Sequence, residues 1–175
     1  MIGSRQVAIS GVLGAITVIL GVTGLGFIPF PTLAGRATIM HIPVILAGIL
    51  EGPLVGVFVG LMFGLFSFLQ AGSPMIADPL IAIGPRLLIG VAAWAVFRLT
   101  GSRNQVVGAS LAAVAGTVTN TAGVLGLALW RGYLPDLSST LLIAVTHGVP
   151  EVVVAALLVP AIVRALVWRR KKGTN

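Results

Sequence analysis

Apolar residues in this chain come in long unbroken runs, not in the alternation of a half-buried strand or the single stripe of a surface helix. The first run goes from about Val7 to Gly24. The stretch Phe27–Arg36 follows, and with Pro29, Pro31, Gly35 and polar neighbours it is too rich in helix breakers to stay helical. A short second run covers about Ala37–Leu50 and is interrupted by Glu51-Gly52-Pro53, where Pro53 suits the first turn of the next helix. Further runs span about Leu54–Leu69, Leu80–Leu99 and Val106–Leu129. Ala71-Gly-Ser-Pro74, Asp78-Pro79 and Gly101-Ser-Arg-Asn104 punctuate them, with Asp78 placed to cap the helix after it. After a loop at Arg131–Asp136, a sixth run goes to about Trp168, with Ser138 or Ser139 as its N-cap and kinks expected at Pro150 and Pro160. Runs of this length match the roughly 20 apolar residues needed to cross a bilayer. The pattern predicts an all-α integral membrane protein: one six-helix transmembrane domain over residues 1–175.

Composition agrees. Hydrophobic residues make up 57% and charged residues 9% of the 175, against about 25% charged in a soluble domain, and the mean hydropathy is +1.10. The 23 glycines suit helices packed closely in lipid. The net charge of +7 is no nucleic-acid signature, because Arg164, Arg169, Arg170, Lys171 and Lys172 supply five of the eleven basic residues at one end. That cluster reads as a cytoplasmic anchor beside anionic lipid. With six spans both termini share a side, which collects eight Lys/Arg against Arg36 and Arg131 on the other. The bias predicts a plasma-membrane protein with both termini in the cytoplasm and the loops at 27–36, 71–78 and 131–137 outside. The N-terminal run has no small-residue cleavage site after it and is expected to be a retained helix. Cysteine is absent, which excludes disulfides and thiolate chemistry. No G-x-x-x-x-G-K-[ST] or G-x-S-x-G occurs, so ATP binding through a P-loop and hydrolase chemistry of that type are excluded too.

Against this background Arg86, Asn120, His147 and Glu151 stand out, since each lies inside an apolar run. A charged side chain at a helix centre costs about 2.5–3.5 kcal/mol even on insertion scales, so such groups face a bundle interior and a partner, water or ligand. At about 1.5 Å per residue, Arg86, His147 and Asn120 fall at overlapping depths in the outer half of their helices. Glu151 shares a face with His147 at i, i+4. The set reads as a substrate pocket open to the exterior. Arg86 offers a fork for a carboxylate or phosphate, or an ion pair to Glu151. Asn120, in Thr117-Val-Thr-Asn-Thr121, cannot hide its amide against its own helix as the threonines can, and must meet a ligand or a neighbouring helix. Two ligands at i, i+4 without H-E-x-x-H are a poor metal site, and no metal or cofactor is expected. Arg36 and His41 are placed at the mouth, and Trp130 is an interface-belt residue with a stacking role as the minor alternative. Small residues form two further patterns: Ala8, Gly11 and Ala15 in the first run, and Gly56, Gly60 and Gly64 in the third. Both smooth a helix face for close contact, with a partner helix or within the bundle.

The segment Ile39-Met-His-Ile-Pro-Val-Ile-Leu-Ala-Gly-Ile-Leu-Glu-Gly-Pro-Leu-Val-Gly56, the glycine-spaced helix after it and Asp78-Pro-Leu…Gly-Pro-Arg86 carry a resemblance. Together with size, helix number and charge, they resemble the substrate-binding S component of energy-coupling factor (ECF) vitamin transporters, across essentially the whole chain. The resemblance implies capture of a vitamin from outside, docking on a transmembrane coupling subunit driven by two ATPase subunits, and release inside. It implies that Ala8, Gly11 and Ala15 contact the coupling subunit, although the usual Ala-x-x-x-Ala reads Gly11-x-x-x-Ala15 here. It also implies that Phe27–Thr38 acts as a lid. Pantothenate is the favoured vitamin, with riboflavin, folate or a pyridine vitamin open. The rival readings are a self-sufficient proton-coupled secondary transporter and a small intramembrane enzyme, each using His147 and Glu151 for proton transfer.

Overall fold

Each apolar run becomes a helix. In a computed structural model, which describes residues 3–32, 35–101 and 104–172 and only the backbone at 28–37 and 167–172, the order is α1 (Ser4–Val22), β1 (Phe27–Thr32), β2 (Gly35–Thr38), α2 (Ile42–Glu51), α3 (Pro53–Leu69), α4 (Pro79–Thr100), α5 (Gln105–Trp130) and α6 (Leu137–Lys172). Arg103 and the side chains of Arg36, Arg169, Arg170, Lys171 and Lys172 lie outside the described residues. Polar side chains start the longer helices. Asp78 accepts from the Leu80 N–H at α4, and Asn104 accepts from the Val106 and Val107 N–H groups at α5. At α6 the cap is Asp136, which accepts from the N–H and hydroxyl of Ser139. The expected Ser138 or Ser139 cap is therefore corrected by one turn of chain: a carboxylate three residues upstream satisfies the first N–H groups better than a hydroxyl.

The second run departs most from expectation. Residues 35–38, of which 37 and 38 are expected from the sequence to start the second helix, instead pair antiparallel with β1, in the register Phe27↔Thr38, Ile28↔Ala37 and Thr32↔Gly35. Pairing continues past the strands, where the Ile39 N–H donates to the Gly26 carbonyl. Helix α2 starts only at Ile42, with Pro43 in its first turn. At 10 residues it is about 15 Å long, half a hydrocarbon core of about 30 Å. Every residue from Ile42 to Ile49 is buried, and the helix touches α1, α3, α4, α5 and α6. It is the bundle's axial filling at one end. Among the described residues four helices, α1, α4, α5 and the Leu137–Leu166 part of α6, are long and apolar enough to cross a membrane. With the shorter α2 and α3 they make a multi-pass membrane protein.

Glycine sets how closely the helices approach. A Cβ on Gly60 would lie 2.2 Å from the Arg86 carbonyl oxygen, one on Gly56 2.8 Å from Gly90 Cα, and one on Gly64 2.9 Å from Ile83 Cα. On the other side, Gly48 would meet the Gly90 carbonyl at 2.2 Å. The Gly56-Gly60-Gly64 stripe thus belongs to the interior, locking α3 on α4. Ala8, Gly11 and Ala15 are the opposite case: all three are exposed, and nothing lies within 4 Å of a Cβ built on Gly11.

Prolines inside helices leave carbonyls unserved. Pro160 has no N–H for the Ala156 carbonyl, and the Ser110 hydroxyl on α5 is shared between that carbonyl, at 3.3 Å, and the Val106 carbonyl of its own helix, at 3.2 Å. Both Pro150 and Pro160 lie within a continuous α6.

The glycine contacts predict an asymmetric response to added methyl groups. Gly60→Ala should lower the Tm of the detergent-solubilised protein by the equivalent of about 1–3 kcal/mol through overpacking. Gly126→Ala, where nothing lies within 4 Å, should leave it unchanged or raise it by up to about 1 kcal/mol. Equal effects at the two sites would refute the packing assignment.

Candidate binding site

Because α2 fills only one half of the bundle axis, the other half is open. There a cavity of about 780 Å³ is lined by the hairpin end of every long helix. Gly21 and Val22 come from α1, Phe63, Phe66 and Ser67 from α3, Gln70 from the cap just after it, and Arg86 from α4. Asn120, Thr121, Val124 and Leu125 come from α5, and Ile143, His147 and Glu151 from α6. Thr38 and Met40, just before α2, and residues of the α3–α4 loop complete it. All four polar residues singled out in the sequence line this one space.

Arg86 is buried, with 6% of its surface exposed. Its Nη1 donates to the Ile81 carbonyl at 2.7 Å, and its guanidinium carbon lies 5.4 Å from the centre of the Phe63 ring. Nε has no hydrogen-bond partner. No carboxylate lies within ion-pair distance of it among the described residues, so the expected alternative of an Arg86–Glu151 ion pair is not present. Asn120 is buried as well, and its Oδ1 is without a partner.

Glu151 has the opposite character. Its Oε1 accepts from the Thr38 backbone N–H at 2.6 Å and lies 3.2 Å from His147 Nε2. Its Oε2 accepts from the Thr121 hydroxyl at 3.3 Å. One carboxylate therefore ties the end of β2 to α5 and α6 and forms one wall of the cavity. No spacing in the sequence signals the bond from Thr38 to Glu151, which joins positions far apart in the chain.

Two other sequence candidates lie elsewhere. His41 is not at the mouth: it is fully buried at the start of α2, with Nε2 3.0 Å from Thr117 Oγ1. Thr117 gives its own proton to the Ala113 carbonyl, so His41 Nε2 is the donor of that pair, and Nδ1 is left without a partner. Trp130 is 72% exposed and outside the lining, as a belt aromatic would be. Ser67, Gln70 and Thr121 are lining residues the sequence reading passed over. The signal for the first two was their i, i+3 spacing at the polar end of an apolar helix.

Above the cavity, Arg131 donates to Asp78 Oδ2 from Nε and Nη2, both at 2.8 Å, and so clamps the α3–α4 and α5–α6 loops together. Desolvation pushes the Asp78 carboxyl up, but the hydrogen bond from Arg131, the Leu80 N–H and the Arg131 charge outweigh it and hold the carboxyl below its usual range. A depressed folded-state value stabilises the fold above the unfolded value, and that stability is lost as pH falls through the folded one. Asp78→Asn should accordingly lower Tm at pH 7, and the gap to wild type should close as pH drops below about 4. A gap that persists at low pH would show that the clamp does not depend on the carboxylate.

The ECF transporter, substrate-specific component family model matches residues 5–163. A pantothenic acid transporter, PanT, of Lactococcus lactis subsp. cremoris (strain MG1363) is 34% identical over 171 aligned positions, covering 83% of each chain.

Proposed function

Since this chain belongs to the family of ECF transporter substrate-specific components, we propose that the ligand it captures is pantothenate, taken from outside the cell into the hairpin-end cavity. The carrying observation is a buried arginine, Arg86, that faces a cavity without a carboxylate partner. Keeping such a charge in a membrane bundle is costly unless a ligand anion completes it. Pantothenate has a carboxylate at one end, hydroxyls at the other and an amide between. Its carboxylate would meet Arg86, and its amide and hydroxyls the unpartnered Asn120 Oδ1, Gln70, Ser67 and the His147–Glu151 wall. The cavity is within the usual range of ligand pockets, about 300–1,000 Å³, and the name of the Lactococcus relative agrees. In this reading the chain is a binder and not an enzyme. It hands its ligand to a transmembrane coupling subunit served by two ATPases, through the exposed small-residue face of Ala8, Gly11 and Ala15.

Binding measured by calorimetry in lipid nanodiscs tests this. Wild type should prefer pantothenate over its alcohol, pantothenol, and Arg86→Ala should lose roughly 10- to 100-fold in pantothenate affinity while its affinity for pantothenol changes little. Tight binding of riboflavin or folate, with none of pantothenate, would overturn the assignment.

The charge bias places both termini in the cytoplasm in this reading. The natural absence of cysteine makes that simple to check. In intact cells a membrane-impermeant maleimide should label Ser138→Cys directly, and Ser4→Cys only after permeabilisation.

A further inference from the structure

Arg86 follows directly on Pro85, and the two residues are linked through one acceptor. In an α-helix the N–H of residue 85 would donate to the carbonyl of residue 81. Pro85 has no N–H, so inside α4 the Ile81 carbonyl loses that donor. The group that takes the carbonyl is the side chain of Arg86, whose Nη1 sits 2.7 Å from it. At Pro160 the freed Ala156 carbonyl finds only a shared donor, since the Ser110 hydroxyl lies 3.3 Å from it and 3.2 Å from the Val106 carbonyl of its own helix. At Pro85, however, the donor that fills the gap is the cavity's own cation. From the α5 side the proline ring is held by Gly123, whose added Cβ would lie 2.8 Å from Pro85 Cβ. Phe63 of α3 flanks the guanidinium from another side.

We propose that Pro85 is a positioning residue for anion recognition: by freeing the Ile81 carbonyl it anchors one nitrogen of Arg86 and so orients the rest of the guanidinium toward a ligand carboxylate. With an ordinary residue in place of the proline the helix bond closes, the carbonyl is occupied, and Arg86 loses its anchor. An unanchored arginine regains rotamer freedom that binding must then remove. The inference rests on the pantothenate reading only for the identity of the anion; the exchange of donors is a property of the protein itself.

The test has two arms. The first is a double-mutant cycle in ligand-free protein, read as Tm, with Pro85→Ala, Arg86→Met and the pair. Arg86→Met in the wild-type background strips the Ile81 carbonyl of its donor; in the Pro85→Ala background the backbone N–H restored by the substitution already serves it. The shift caused by Arg86→Met should therefore be more unfavourable with proline present, and the cycle non-additive. An additive cycle overturns the inference, whatever the protein binds. The second arm is the pantothenate-over-pantothenol preference. Pro85→Ala should reduce it about 10-fold without lowering Tm, because alanine suits a helix interior better than proline. An unchanged preference alongside a discriminating wild type also overturns it. A wild type that does not discriminate refutes the pantothenate reading instead, and the cycle still decides the role of Pro85.

Discussion

The contact of α3 with α4 holds everything else in place. Lipid tails are as apolar as leucine, so helices in a bilayer gain little from hiding apolar side chains and associate by close packing. Here Gly56, Gly60 and Gly64 bring the backbone of α3 against Gly90, the Arg86 carbonyl and Ile83, and Gly48 brings α2 against the same Gly90. That approach fixes the α4 backbone at Arg86, presents the Phe63 ring to its guanidinium, and leaves α2 enclosed at one end of the bundle. The cavity at the other end follows, because the axial helix is only half as long as the bundle.

The polar groups in that cavity divide by what they hold. Glu151 is committed within the protein, to Thr38, Thr121 and His147, and what it secures is the hairpin. Arg86 and Asn120 keep polar atoms without partners. A buried pair of opposite charges would satisfy itself and have little need of a ligand. Separating them, with the carboxylate engaged by backbone and hydroxyl donors and the guanidinium held by the Ile81 carbonyl and the Phe63 ring, is what would leave net attraction for an anion in the proposed reading.

Much of this was legible in the sequence. Apolar runs placed five of the six helices to within a few residues, Pro53 and Asp78 marked helix starts, and four polar residues interrupting those runs turned out to share one cavity. The rest was hidden for identifiable reasons. Residues 35–38 join a strand because their partners are β1 and Glu151, and neither is a local signal. His41 looked like a mouth residue because it follows a loop, but the chain turns inward there and buries it against Thr117. Asp136 displaced the serines as a cap because several candidates stood within one turn, and the choice among them is made by geometry.

By itself the sequence determined that this chain crosses a membrane repeatedly, that its interior holds an arginine, an asparagine, a histidine and a glutamate, and that glycine lines one face of α3. Those are consequences of solvent: hydrocarbon demands apolar runs and closed backbone bonds, and it makes each polar exception costly. Only the tertiary structure decided which exception pairs with which. Whether Arg86 neutralises Glu151 or stands apart from it depends on a few ångströms of helix placement, on the hairpin that claims the carboxylate, and on Pro85, which frees a carbonyl for the arginine. Such short-range choices depend on the distances between helices, and those distances are set by packing across the whole bundle.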